Sequence, residues 1–238
     1  SMSVVIPVCC IISIYFFIAR RICWIRYIDI KNAAKDADYV IEVVFERADV
    51  KLPVLQQLDE ACPDRTILAS NTSGIPISLL ASATKRPQKV IGAHFMNPVP
   101  LMKLLEIVRT IATSTETLEI GKSFGQSVGK TIVIAKDTPG FIVNCLLMPF
   151  LVDAINMLDA GVATREDIDT SINLGLGHPM GPLTLSDLIG LDTVLFVVDA
   201  MYEEFRDPKY AAPPLLRKMV TAGWLGRKTG KGFYDYGK

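Results

Sequence analysis

From about residue 36 the chain alternates short apolar runs with helical spacing. Residues 39–45 form an apolar run interrupted once, by Glu42, and Leu52, Leu55, Leu58 and Cys62 follow at the spacing of a buried helix face. Residues 66–69, 89–95, 103–108 and 131–135 read as further strands. Residues 77–83 make a helical turn or two, and residues 115–128 a helix whose start is marked by Ser114. Strands and helices in alternation predict parallel strands joined by crossover helices. The strand signals stop near Asp137. Three long helical patterns follow: residues 139–160 with Gly161 as a stop, a second beginning at Thr164 with Asp167 three residues on as an approximate capping box, and a third from about residue 183 towards 205. The prediction is an α/β protein, with a Rossmann-like parallel-sheet domain over residues 1–137 and an all-helical domain over 138–238.

The amino-terminal stretch breaks the pattern. Residues 4–19 (VVIPVCCIISIYFFIA) are mostly apolar and precede Arg20 and Arg21. A membrane helix needs about 20 apolar residues, and Pro7 and Ser13 lie inside this shorter span. The basic pair follows the run, whereas a signal peptide carries its charge in front. Neither a membrane anchor nor a cleaved leader is therefore expected. All 16 glycines lie at or beyond Gly74, an unusual start for a nucleotide-binding domain.

Composition narrows the class. Half of the residues are hydrophobic and 21% charged, which excludes disorder, and 25 Lys+Arg cancel 25 Asp+Glu. That balance lacks the electrostatic footprint of a nucleic-acid binder or of a protein living on an anionic membrane, so a small-molecule enzyme fits better. Five cysteines, irregularly spaced in apolar runs, give neither a disulfide framework nor a zinc pattern, and point to a reducing compartment.

Ligands of open parallel sheets bind beyond the carboxyl ends of the strands, and three of the expected strand ends are polar: Glu46, the run Ser70-Asn71-Thr72-Ser73, and His94 with Asn97 just after it. Glu106 is the one acidic residue of the neighbouring apolar strand. A carboxylate there is costly unless paired, and paired with His94 it would orient the imidazole and raise its basicity, as a general base requires. Asn144 is the only polar side chain in residues 141–152 (FIVNCLLMPFLV), where an amide can serve either an interdomain hydrogen bond or a substrate carbonyl. His178, in GHPMGP, fits packing or capping, and Asp187 and Asp192 fit helix caps or interface positions.

SNTSGIPIS, GAHFMNPVPLMKLLEIV, DTPGFIVNCLL and GHPMGPLTLSDLIGLD, in that order, resemble the short-chain 3-hydroxyacyl-CoA dehydrogenases, most closely the 3-hydroxybutyryl-CoA dehydrogenases, over roughly residues 36–238. The resemblance implies NAD as cofactor and interconversion of (S)-3-hydroxyacyl-CoA and 3-oxoacyl-CoA. It implies His94 as catalytic base and Glu106 as its partner, with Ser73, Asn97, Asn144 and Lys51 towards the substrate. Towards the cofactor it implies Glu46, Asn71, Asn97 and Asp29, the last as the ribose-binding acid ending a strand over residues 24–30. It also implies a homodimer formed through the helical domain, in a bacterial cytoplasm or a mitochondrial matrix.

One departure is large. Where the family carries a G-x-G-x-x-G turn, whose glycines let the backbone approach the pyrophosphate, this chain has Pro7-Val8-Cys9-Cys10-Ile11-Ile12, and the family's CoA-covering helical hairpin is missing before residue 36. Three readings stay open: an ordinary dehydrogenase for which the first 30 residues as written are misleading, a non-catalytic dimeric CoA-binding homologue with a lost cofactor cradle, and a membrane-anchored form using residues 4–19.

Overall fold

The computed structural model describes residues 4–8, 22–26 and 30–237. The chain divides into two units, Ser1–Phe141 and Ile142–Lys238.

The first unit is a seven-stranded sheet. Its strands are β1 (Val4–Val8), β2 (Ile22–Arg26), β3 (Tyr39–Glu42), β4 (Ile67–Ser70), β5 (Val90–Phe95), β6 (Leu104–Arg109) and β7 (Thr131–Lys136). They lie in the order β2-β1-β3-β4-β5-β6-β7. The helices are α1 (Ile30–Ala34), α2 (Ala48–Ala61), α3 (Ile77–Ser82) and α4 (Thr115–Ser127). Because successive side chains of a strand alternate between faces, Val40, Leu68, Val90 and Val108 pack with α1 to α3. Tyr39, Ile41, Ile67, Ala69, Ile91, Ala93, Leu105 and Ile107 pack on the other face with Leu118 and Phe124 of α4. Ser114 caps α4 as expected, its hydroxyl accepting from Thr117 N at 3.1 Å.

Three expectations need correction. The strands are not all parallel: β5 and β6 pair antiparallel, with His94 directly opposite Glu106. Only residues 96–103 join them, too few for the crossover that a parallel pair demands. The first of the recognised strands stops at Glu42, so Glu46 sits in the loop before α2, not at a strand end. The strand read over residues 24–30 runs instead from Ile22 to Arg26, and Ile30 opens α1. Asp29, Cys9 and Cys10 lie outside the described residues. So does most of the apolar stretch 4–19, of which Val4–Val8 is strand β1. No helix among the described residues is long and apolar enough to cross a membrane.

Gly92 shows how tightly the layers meet. A Cβ there would lie 2.7 Å from Val108 Cβ and 2.9 Å from Ile77 Cδ1, so only glycine lets α3 approach the sheet beside His94. Asp137, just past β7, caps α3 by accepting from Ile77 N and Ser78 N, both at 2.7 Å.

The second unit is helical: α5 (Val143–Asp159), α6 (Arg165–Leu176), α7 (Pro182–Ile189), α8 (Leu191–Phe205) and α9 (Pro214–Thr221). Its core gathers Leu151, Ile155, Leu183, Leu191, Val194, Val198, Met201 and Leu216. The single helix expected from residue 183 to 205 is two, broken at Gly190, whose φ of 101° no other residue adopts cheaply. Thr164 caps α6, its hydroxyl accepting from Asp167 N at 3.1 Å and donating to Asp167 Oδ2 at 2.7 Å. Asp169 caps α7 through Leu183 N and Thr184 N.

Asp187, expected at a cap or an interface, is buried and fastens the carboxyl-terminal tail. It accepts from Phe233 N and Tyr234 N at 2.9 Å and from Tyr236 Oη at 3.0 Å. His178 is exposed and lies edge-on to Phe150, 5.8 Å between rings.

Two predictions follow from these cores. Tyr39 stacks on Phe124 at 4.5 Å, yet its hydroxyl is buried with no partner among the described residues, and burial pushes its pKa up strongly. An unsatisfied buried hydroxyl costs about 1–3 kcal/mol, so Tyr39→Phe should leave urea stability unchanged or raise it by about 1 kcal/mol. A loss of that size would mean the hydroxyl has a partner. Burial, reinforced by the bond to Asp187, pushes the Tyr236 phenol up from 10.0 to about 12. The protonated phenol therefore stabilises the tail fully below pH 10, and that contribution is lost as pH rises to about 12. The Tm difference between wild type and Tyr236→Phe should shrink across that window, and a constant difference would sink the assignment.

Candidate active site

The carboxyl half of the sheet carries four polar side chains on the face covered by α2 and α3. Counting by twos from the apolar residues of that face leads from Val40 to Glu42, from Leu68 to Ser70, from Val90 through Gly92 to His94, and from Val108 to Glu106. All four are buried, His94 at 5% exposure and the others at 0%.

His94 is held at both ring nitrogens. Nδ1 lies 2.6 Å from Glu106 Oε2, and Nε2 lies 3.0 Å from the hydroxyl of half-buried Ser73. Phe141 stands edge-on to the ring at 5.3 Å. A carboxylate accepts only, so Nδ1 carries the proton and Nε2 presents a lone pair; this tautomer is assigned from the partners. The arrangement can take a proton at Nε2 and spread the resulting positive charge onto Glu106.

Ser73 is itself positioned from below. Glu46 Oε1 accepts from Ser73 N at 2.7 Å, Gly74 N at 3.0 Å and Thr72 Oγ1 at 2.5 Å, and the Thr72 hydroxyl accepts from Ile75 N. Glu46 Oε2 lies 3.4 Å from the Lys51 ammonium. Lys51 is fully buried and donates to Glu42 Oε1 at 2.9 Å and to Val44 O at 3.1 Å. Among the described residues, the Lys51 ammonium is thus surrounded by protein oxygens of the first unit. Glu42 collects Val44 N at 2.6 Å and Ser70 Oγ at 2.7 Å besides Lys51, which is what a charge taken out of water needs.

The remaining predicted residues are more dispersed. Asn71 spends its carbonyl on Phe95 N at 2.9 Å and so ties the end of β4 to the strand of His94. Asn97 is exposed, next to Pro98 across a cis peptide bond. Its loop is clamped by Lys130, which donates to Val99 O at 2.5 Å and Met102 O at 2.8 Å, and whose pKa burial lowers. Asn144 belongs to the second unit, half-buried in the first turn of α5. Sequence reasoning passed over Glu42, Ser70, Thr72 and Lys130. Glu42 had left a mark as the interruption of an apolar run, and Ser70 and Thr72 as members of a polar strand end, but none of the four was given a role. Cys62 is buried and its thiol is pushed up to about 11 by that burial, so it is no nucleophile near neutral pH.

Comparison with known proteins gives this arrangement its relatives. Residues 19–138 match the family described as 3-hydroxyacyl-CoA dehydrogenase, NAD binding domain, and residues 140–236 match the 3-hydroxyacyl-CoA dehydrogenase C-terminal domain. The chain belongs to the 3-hydroxyacyl-CoA dehydrogenase family. It is 51% identical over 203 residues, 85% of its own length and 71% of the relative's, to a probable 3-hydroxybutyryl-CoA dehydrogenase of Bacillus subtilis. It is 45% identical over 209 residues, 87% of itself and 67% of the relative, to the mitochondrial hydroxyacyl-coenzyme A dehydrogenase of Sus scrofa. Among solved structures, the (S)-3-hydroxybutyryl-CoA dehydrogenase PaaH1 of Ralstonia eutropha matches with a TM-score of 0.87 at 44% identity, covering 92% of this chain and 76% of that one. The described site residues of this dehydrogenase-family chain all lie inside the two matched segments, whereas residues 1–18 lie outside them.

Proposed function

We propose that the chain is an NAD-dependent oxidoreductase interconverting (S)-3-hydroxyacyl-CoA, with 3-hydroxybutyryl-CoA as the favoured substrate, and 3-oxoacyl-CoA, and that His94 is its general base. The observation that carries this reading is the imidazole held between Glu106 and Ser73 with an accepting Nε2.

The sheet order suits the cofactor. β1 has β2 on one side and β3 on the other, so the strand order reverses between β1 and β3, where dinucleotides lie in open α/β sheets. Glu46, Asn71 and Asn97 would hold the nicotinamide end beyond β3 to β5, and Asp29 the ribose, favouring NAD because a carboxylate repels a 2′-phosphate. Bound NAD supplies the acceptor for the hydride that leaves C3 of the acyl chain. The Ser73 and Asn144 side chains would hold the substrate oxygens. His94 Nε2 takes the proton of the 3-hydroxyl as the C3–O bond becomes a carbonyl, and Glu106 stabilises the imidazolium. In the reverse direction the same Nε2 returns the proton.

A homodimer is part of this reading. Leu146 on α5 and Leu174 and Leu176 on α6 are 73%, 82% and 64% exposed, apolar surface that a second copy would cover. A compartment of reducing character, bacterial cytoplasm or mitochondrial matrix, suits the buried thiol of Cys62.

A second reading rests on one observation, the absence of glycine before Gly74, which removes the backbone freedom of the pyrophosphate turn. It makes the chain a non-catalytic dimeric CoA-binding homologue. NADH fluorescence on the purified chain, followed by acetoacetyl-CoA, separates the two. Micromolar binding and decay of the signal support the dehydrogenase, and no binding by a folded dimer supports the homologue. In the active chain His94→Ala and Glu106→Gln should each lower kcat by about 10²–10⁴-fold with little change in Tm. Unaltered turnover in either variant would remove that residue from the mechanism.

A further inference from the structure

We propose, relying on the dehydrogenase reading for the kinetic readout alone, that Glu42 is a positioning residue of this site, setting the Ser73 hydroxyl against His94 through Lys51 and Glu46. Each link is a contact inside the first unit. Glu42 and Lys51 are both fully buried and 2.9 Å apart. The Lys51 ammonium stands 3.4 Å from Glu46, and Glu46 grips the backbone N–H groups of Ser73 and Gly74 together with the Thr72 hydroxyl through one oxygen. The Ser73 side chain then meets His94 Nε2 at 3.0 Å.

The chemistry explains why three charges stand in line. Glu46 is 29% exposed and could swing towards water. A single buried cation behind it fixes its second oxygen and leaves the first to the loop. That cation would be ruinous without its own counter-charge, and Glu42 provides one, itself held by Val44 N and Ser70 Oγ. Removing the charge on Glu42 frees Lys51 to settle on Glu46 alone, and the loop carrying Ser73 follows. Reacting groups misplaced by about 1 Å cost on the order of 10²-fold in rate, so a device for holding one hydroxyl in place earns a large return from small forces.

The test is a double-mutant cycle with a second readout that needs no turnover. Glu42→Gln should lower kcat about ten- to hundredfold in the wild-type background but less than about twofold in a Ser73→Ala background, because residues acting through one another are not additive. A residue needed only for folding would lower kcat equally in both, which would overturn the proposal. In parallel, the imidazole ¹⁵N resonance of His94 Nε2 reports its bond from the Ser73 hydroxyl. Ser73→Ala should move it, and Glu42→Gln should move it in the same direction. A resonance that Glu42→Gln leaves in place, or that neither variant moves, sinks the idea. If the parent chain turns over no substrate, the dehydrogenase reading fails and the resonance still decides the positioning role. Should Glu42→Gln not fold, Ser70→Ala, which takes only one hydroxyl donor from Glu42, carries the same test at smaller amplitude.

Discussion

The site depends on the antiparallel pairing of β5 with β6. Direct partners in an antiparallel pair project to the same face with Cβ atoms about 5 Å apart, and that alone brings a histidine and a glutamate twelve residues apart into a 2.6 Å contact. In an all-parallel sheet the residues 96–103 would have to be a crossover, and Glu106 would meet another strand register. The reversal also spares the protein a price elsewhere. Both groups are buried in the sheet's interior face, and each is the other's solvation.

The same economy extends along that face. Glu42, Ser70, His94 and Glu106 lie on one face of four consecutive strands, the face whose apolar residues pack against α2 and α3. Buried ions of this kind contribute little net stability, since desolvation consumes most of their attraction. What they contribute is geometry. Every donor of Lys51 and every oxygen of Glu42 has one set of partners, so the strands and the loop after β4 lock in one register. Stability comes instead from the apolar residues interleaved with them, such as Val40, Leu68, Val90 and Val108.

Much of this was legible in the sequence. Apolar runs broken by Ser114, Gly161 and Asp137 locate the helices and strands within a few residues, and a lone acid in an apolar strand points to Glu106 as a residue in need of a partner. What escaped were features fixed by long-range geometry. The sense of β6 follows from an eight-residue connection, a length visible in the sequence but outweighed by the alternation of strand and helix. The burial of Lys51 between two carboxylates was not legible either, because nothing local reveals that Glu42 and Glu46 surround it. Gly190 was hidden inside an apolar helical pattern, where its positive φ, not its neighbours, ends α7.

The face that carries His94 and Glu106 and the edge that would hold the dinucleotide are built from different parts of the sheet. His94, Glu106, Ser73, Glu46, Lys51 and Glu42 come from residues 42–106, on strands β3, β5 and β6, the loops after β3 and β4, and helix α2, and hydrogen bonds and ion pairs link them to one another. The family's pyrophosphate turn corresponds to residues 7–12, of which residues 9–12 lie outside the described residues. Among the described residues, the hydrogen bonds that hold the imidazole, its carboxylate and the Ser73 clamp are made within residues 42–106. An intact dyad is thus no measure of an intact cofactor cradle in this fold.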